Sequence, residues 1–511
     1  MTKRTSAFEL VLAERDPEVS AYKWLYAALR DEIVAGRLRP GARLPATREL
    51  AKQYGLARGT VMNSFDQLKA EGYVEGAVGA GTYVSNILPD ELLEVDPKTA
   101  INLQAMPSAE RRTSNYAKRV SLFQNLEVRP SRAFRTNLPA LDLFPATLWA
   151  QVASRRLRRV SMNLLLGCDA MGYKPLREAV AAYLSTSRGV HCVPEQVAIV
   201  SGVQAALDLV ARLLLNPGDR VCMENPGYPG VAMVFQAAGA KVSAAPLDSE
   251  GMTLQKEALK GARLVYITPG HQFPLGITMS LARRLQLLDW AAKSGAAILE
   301  DDYDSEFRYS GRPLPALQGL DHRQLVLFAG SFSKVLFPSL RLGYLVVPPN
   351  LVESVSAIIS ITNRHASLLE QAVVCDFITE GHFGRHLRRM RQVYAERRSV
   401  LEECAQKTLA GRLEITGVEA GLQTAAWLRD GLNGEAAAAA AAGWNVEVTP
   451  LSRYCQGMEM REGLHLGFAA VNTREIRRGI RDLALALDHV SKAPASRAAP
   501  GPAQGMVTTR N

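Results

Sequence analysis

The sequence predicts a small α+β head followed by a larger α/β domain that ends in a smaller α/β subdomain. Three observations carry that reading. Residues 21–84 hold three helical stripes that close on a pair of short β runs. From Thr136 onward, apolar runs of strand length alternate with amphipathic stretches, the pattern of a largely parallel sheet covered by helices. Within that alternation two runs, Ala296–Leu299 and Leu325–Ala329, each break abruptly into a polar cluster. Polar residues just past a buried strand lie at its carboxyl end, where α/β sheets bind ligands.

Composition narrows the class. A chain of 511 residues suits about two to four domains. No uninterrupted apolar stretch reaches membrane-span length, and Met1–Ser6 precede no apolar segment, so no signal peptide is expected. Cys168, Cys192, Cys222, Cys375, Cys404 and Cys455 are scattered without a CxxC pair. Reduced thiols in the cytoplasm fit that spacing better than a disulfide framework or a metal site. The formal charge of +10 is compatible with nucleic-acid binding, but the excess is spread along the chain.

In the head, Tyr22, Leu25, Leu29 and Ile33 recur at helical steps, and Gly36 ends the stripe. A second helix is expected over Thr47–Tyr54, stopping at Gly55. A third runs from about Arg58 to Glu71, with Val61, Phe65 and Leu68 inward and Gly72 as its stop, the usual C-terminal punctuation. Tyr73–Glu75 and Thr82–Val84, joined by Gly76–Gly81, read as a hairpin. Three helices and a hairpin make a winged helix-turn-helix, assigned to 20–86. Residues 87–135 carry Pro89, Pro97, Pro107 and Pro130 among arginines such as Arg112 and Arg132. They read as a solvated linker, with backbone contacts to DNA as the second option.

The larger domain is assigned to 136–490. Helices are expected near Leu148–Arg158 and from Gly172 through Tyr183, and a strand over Val197–Val200. Ser201-Gly202-Val203-Gln204 then leads into a helix over Ala205–Leu215. Such a turn can offer backbone N–H groups to a phosphate, though alone it is a generic connection. A long helix is expected over Gly384–Leu409, then the pieces Leu413–Ile415, Gln423–Leu428, Ala436–Ala442 and Val446–Thr449, and a disordered tail over 491–511.

The chemistry concentrates in Glu300-Asp301-Asp302-Tyr303-Asp304 and Gly330-Ser331-Phe332-Ser333-Lys334, followed by Arg341. Lys334 can form a Schiff base with an aldehyde, and Asp301 can hold a protonated ring nitrogen. Tyr303 can hydrogen-bond a ring hydroxylate, while Ser331, Ser333 and Arg341 can bind a phosphate. That is a pyridoxal phosphate site in outline. The bland alternative, a surface lysine and a solvated acidic turn, leaves the pairing of the two segments unexplained.

These two segments resemble the fold-type I aminotransferases, and most closely the MocR-type regulators of the GntR superfamily. The head is similar to GntR heads in Gly36-Arg37-Leu38-Arg39-Pro40-Gly41, Leu44-Pro45-Ala46-Thr47-Arg48-Glu49-Leu50-Ala51, Arg58-Gly59-Thr60-Val61 and Gly79-Ala80-Gly81-Thr82-Tyr83-Val84. The resemblance implies that Arg58, Gly59 and Thr60 enter the major groove with Arg48 beside them, while Gly79 and Gly81 shape the wing tip. It implies that Gly202, Val203 and Gln204 hold the cofactor phosphate and that Tyr228 stacks on its ring. His271, in Pro269–Gly276, is then a substrate-side residue or an ordinary loop histidine. Two departures stand out. Ala46 and Ala57 replace the family's helix-capping serines, and Leu464-His465 stands where a carboxylate-binding arginine is expected, with Arg453 as a nearby substitute.

The expected function is a pyridoxal phosphate-dependent DNA-binding transcription regulator, homodimeric through its large domain. It would sense an amine or amino acid, or pyridoxal phosphate itself, and bind a double-stranded operator. The alternative is an aminotransferase with an accessory DNA-binding domain, and residual or half-transamination is compatible with either.

Overall fold

The computed structural model describes residues 10, 12–13, 15–17, 19–77, 81–88, 112–120, 130–311, 315–415, 417, 419–429, 431–457 and 459–492. The chain divides into two units, Met1–Arg112 and Thr113–Asn511.

The first unit packs α1 (Ala21–Val34), α2 (Thr47–Gln53) and α3 (Arg58–Ala70) beside the hairpin β1 (Val74–Ala77) and β2 (Gly81–Val84). Leu25, Leu29 and Ile33 of α1 meet Val61, Phe65 and Leu68 of α3 in one buried cluster that includes Leu50. Tyr22 is only half-buried; its carbonyl accepts a hydrogen bond from Ser64, at 3.2 Å. Ser20 caps α1 through its hydroxyl. Ala46 and Ala57 supply no side-chain cap, and the Glu49 carboxylate accepts from the Ala46 N–H at 3.2 Å instead. The strands pair antiparallel from Val74↔Val84 to Ala77↔Gly81. Gly79 lies outside the described residues.

The second unit is built on eight strands: β3 (Val197–Val200), β4 (Arg220–Asn225), β5 (Lys241–Asp248), β6 (Gly251–Met252), β7 (Ala262–Ile267), β8 (Ala297–Asp302), β9 (Val326–Ser331) and β10 (Gly343–Val346). Their order is β3-β10-β9-β8-β7-β4-β5-β6. Neighbours from β5 to β9 run parallel, while β10 is antiparallel to both β9 and β3. The interior strand β10 and even the edge strand β3 (Val-Ala-Ile-Val) are buried along their whole length, as strands covered on both faces must be. A second, antiparallel sheet contains β11 (Leu413–Ile415), β12 (Gln423–Leu428), β13 (Thr449–Pro450) and β14 (Gly463–Gly467) in the order β11-β12-β14-β13. The long helix spans His382–Thr408, and the last helix, Thr473–Lys492, runs slightly past the expected boundary at 490.

The segment read as linker through 135 ends earlier. Ala133 and Phe134 are fully buried, and they bridge to Val446 and Gly467. Arg119, on the short helix Asn115–Arg119, donates to the Ala237 carbonyl at 3.0 Å. Two apolar residues among arginines carry too little periodicity to mark a packed segment. Pro89, Pro97 and Pro107, and the tail beyond Lys492, lie outside the described residues. Among the described residues no helix is long and apolar enough to cross a membrane.

Candidate cofactor site and nucleic-acid interface

Strand register assembles the site. Asp301 and Asp302 on β8 face Ala329 and Gly330 on β9, and Gly343 at the start of β10 pairs with both Ser331 and Val200. The polar ends of β3, β8 and β9 therefore converge on one edge of the sheet, as ligand sites in such sheets require.

Asp301 is 5% exposed. Its Oδ2 accepts a hydrogen bond from the Tyr266 hydroxyl at 2.7 Å, while Oδ1 is buried with no partner. Burial pushes this carboxyl up to about 7, against the Tyr266 hydrogen bond, which lowers it. Glu224 lies close by. Its Oε2 accepts from the Thr268 hydroxyl at 2.6 Å and the Thr268 N–H at 3.1 Å, and burial raises it to about 7 as well. Lys334 donates to the Asn137 carbonyl at 2.8 Å and to Asn137 Oδ1 at 3.3 Å. Burial brings this amine down to about 8, with Asp304 and Asp301 opposing.

The other end is a cradle for an anion. Gly202 precedes helix Val203–Leu214 at φ 87°, ψ 175°, a conformation open essentially to glycine alone. A Cβ there would stand 3.6 Å from the Arg341 guanidinium carbon. Arg341 itself sits at φ 50°, strain of the kind that clusters at functional sites. The first N–H groups of the helix, at Val203 and Gln204, have no acceptor within it. Ser331 Oγ accepts from the Ser333 N–H at 3.1 Å. Gln204 Nε2 donates to the Tyr228 hydroxyl at 2.7 Å, fixing that ring's edge.

Aromatic rings form the floor. Phe273 stands edge-on to Tyr228, Tyr303, Tyr454 and His465, with centroids 5.1–5.9 Å apart. His271 Nδ1 is 2.8 Å from the buried Asp304 Oδ1 and 3.1 Å from the Tyr303 hydroxyl. A carboxylate oxygen accepts, so Asp304 Oδ1 is the acceptor for a hydrogen on Nδ1. Burial raises the Tyr303 phenol well above its ordinary range.

The structure therefore brings together Lys334, Asp301, Tyr303, Tyr228, Ser331, Ser333, Arg341, Gly202, Val203, Gln204 and His271. Arg453 is held apart: it makes a two-pronged ion pair with Glu435 at 2.8 and 2.6 Å on a half-exposed surface. Sequence reasoning missed Asn137, Tyr266 and Phe273. Tyr266, a lone phenol in the buried run Leu264–Ile267, was a usable signal, because a buried hydroxyl needs a partner. Asn137 had none beyond its place at the start of the domain.

In the head, Arg48, Arg58 and Gly59 are exposed and Thr60 is half-buried; Arg58, Gly59 and Thr60 form the first turn of α3. Gly81, at φ 109°, would place a Cβ 2.8 Å from Arg43 Nε. Arg43, exposed and bridged to Tyr83, is a wing-side cation that motif reading passed over.

Comparison with known proteins agrees with both halves. The chain matches the family model of bacterial regulatory proteins, gntR family, over residues 21–84. It matches the aminotransferase class I and II model over 137–483. It is 40% identical to a probable rhizopine catabolism regulatory protein, MocR, of Rhizobium meliloti, across 96% of this chain and 99% of that one. It is 32% identical to an HTH-type transcriptional regulator, YdeL, of Bacillus subtilis, across 92% and 97%. Among solved structures it resembles the alpha-aminoadipate aminotransferase LysN of Thermus thermophilus, complexed with N-(5'-phosphopyridoxyl)-L-leucine. There the TM-score is 0.65 and the identity 30%, over 70% of this chain and 92% of that one. A GntR-type head implies DNA binding, and the aminotransferases of this fold depend on pyridoxal phosphate. The chain belongs to the MocR-type regulators, HTH-type transcription regulators in which a GntR-family winged helix-turn-helix is joined to a class I and II aminotransferase domain.

Proposed function

We propose that this regulator carries pyridoxal phosphate on Lys334, reads an amine that competes for that position, and binds its operator as a homodimer in the cytoplasm. The observation that carries the reading is Asp301, whose buried Oδ1 has no partner. Such an atom costs free energy unless a donor reaches it, and a protonated ring nitrogen is a donor that would also hold the carboxylate ionised.

The remaining residues suit the same molecule. Gly202, Val203, Gln204, Ser331, Ser333 and Arg341 would hold the phosphate, Tyr228 would lie against the ring, and Tyr303 would meet its oxygen. Pyridoxal phosphate supplies an aldehyde carbon with which amines condense. Lys334, lowered to about 8, keeps a larger fraction of its nitrogen lone pairs available near neutrality than an ordinary lysine does. His271, aligned by Asp304, stands on the side from which an amine would enter. Exchange at Lys334 would bias the equilibrium between two conformations of the regulator and so its grip on DNA.

For DNA, Arg58, Gly59 and Thr60 would face base edges and phosphates, with Arg48 beside them and Gly79, Gly81 and Arg43 at the wing. The exposed apolar residues Met162, Leu165, Leu166 and Ile361 give the second unit a surface suited to a second copy. Borohydride reduction followed by peptide mass spectrometry tests the central claim. An adduct on Lys334 is expected; an adduct on another lysine, or none, refutes it.

A further inference from the structure

The site holds a polar atom that the reading above does not use. His465 lies on β14 opposite Ala425 of β12 and Thr449 of β13 and is fully buried. Its Nδ1 is 3.1 Å from the Tyr454 hydroxyl. The other ring nitrogen, Nε2, is buried with no partner.

The surroundings say where this nitrogen acts. Phe273 and Tyr454 stand edge-on to the His465 ring, each 5.4 Å away. Phe273 in turn packs on Tyr228 and Tyr303. Apart from its own burial, the influences on His465 are His271 and Lys334, and together they press it down to about 3. The ring is therefore a neutral hydrogen-bonding group on the Lys334 side of the small subdomain.

With Lys334 given to the cofactor, the arginines that a carboxylate at this place could call on are engaged elsewhere. Arg453 is paired with Glu435, Arg461 lies over the Trp427 ring and reaches Glu414, Arg135 faces Glu447, and Arg341 stands over Gly202. Burying an unpaired carboxylate costs far more than burying a hydroxyl that makes one hydrogen bond. We propose that His465 receives the far end of the effector as an uncharged hydroxyl, so that the effector is a hydroxyl-bearing amine without a carboxylate. This deepens the cofactor reading and rests on it.

The test uses two probes with one carbon skeleton, serinol (2-amino-1,3-propanediol) and L-serine, which differ in a hydroxymethyl group against a carboxylate. The cofactor-loaded full-length protein is titrated with each, following cofactor absorbance and, separately, mobility of operator DNA. Serinol is expected to half-saturate at a concentration at least about 10-fold below L-serine, the discrimination expected of one well-placed polar contact. His465→Arg should reverse the order, and His465→Gln, which keeps a neutral hydrogen-bonding group, should preserve it. Thermal unfolding and borohydride labelling identify variants that fold and load. L-Serine binding as tightly as serinol to the loaded wild type overturns the proposal alone, as does a folded His465→Arg protein that keeps the wild-type order. Absence of any adduct on Lys334 overturns it together with the cofactor reading.

Discussion

Replacing Asp301 by Asn should change how the cofactor-free protein responds to pH. Burial raises the Asp301 carboxyl from an ordinary 3.8 to about 7, so between those values the folded protein keeps a proton that the unfolded chain has lost. Stability rises with pH where the unfolded state binds more protons; here the folded state binds more, so the sign is negative. Asp301's contribution is fully present below about 3.8, shrinks as pH rises, and is gone above about 7. From pH 5 to pH 8 the loss is about two pH units at 1.36 kcal/mol each, or about 3 kcal/mol. Glu224 and Glu300 are raised to about 7 by burial in the same way and remain in the variant, so its slope persists but is shallower by Asp301's share. Denaturant unfolding of the cofactor-stripped protein at both pH values, followed by tryptophan fluorescence of the larger unit, measures the difference. Parallel losses in wild type and Asp301→Asn would show that Asp301 is not a protonated buried acid, and the argument for a cationic ring beside it would fall. Adding pyridoxal phosphate should flatten the wild-type slope and leave the variant's nearly unchanged.

Four further outcomes are expected. Lys334→Ala should bind pyridoxal phosphate only reversibly, with no adduct surviving borohydride and denaturation, as mass spectrometry reads. Gly202→Val must adopt a conformation that costs about 1–3 kcal/mol outside glycine and crowds Arg341, so equilibrium dialysis should show weaker cofactor retention with Lys334 intact. Arg58→Ala should weaken operator binding by roughly 1–3 kcal/mol if it makes a bidentate base contact. Arg112→Ala should weaken binding slightly and equally on unrelated DNA; a mobility-shift series at fixed salt separates the two.

The head was legible nearly to the residue, because its glycine stops and helical stripes are local signals: α3 was expected over 58–71 and spans Arg58–Ala70. In the larger unit the strands ending in polar clusters were equally plain, and Val197–Val200 was placed without error. What escaped was non-local. Tyr266 meets Asp301 across neighbouring strands, Asn137 meets Lys334 across 197 residues, and Arg453 was drawn away by Glu435, eighteen positions earlier. Pattern reading ranks residues by type and spacing; it cannot see which of two arginine partners lies nearer in space. The same limit hid the burial of Ala133 and Phe134, whose strand partners come from Val446 and Gly467.

The grip of Asn137 on Lys334 sets a threshold for the chemistry. Asn137 occupies the left-handed region at φ 66°, and its N–H is anchored on Gln423 Oε1 at 2.8 Å, so its backbone is braced on the subdomain strand β12. The amine thus rests on a latch made of main chain. Before the lysine nitrogen can form any bond, two hydrogen bonds must open, each worth about 0.5–1.5 kcal/mol net. Once they open, the Asn137 carbonyl must find another donor. Asn137 lies four residues past Ala133, where the chain arriving from the DNA-binding head enters the core. Exchange of the proposed cofactor at Lys334 would therefore register first in the backbone of that entry segment.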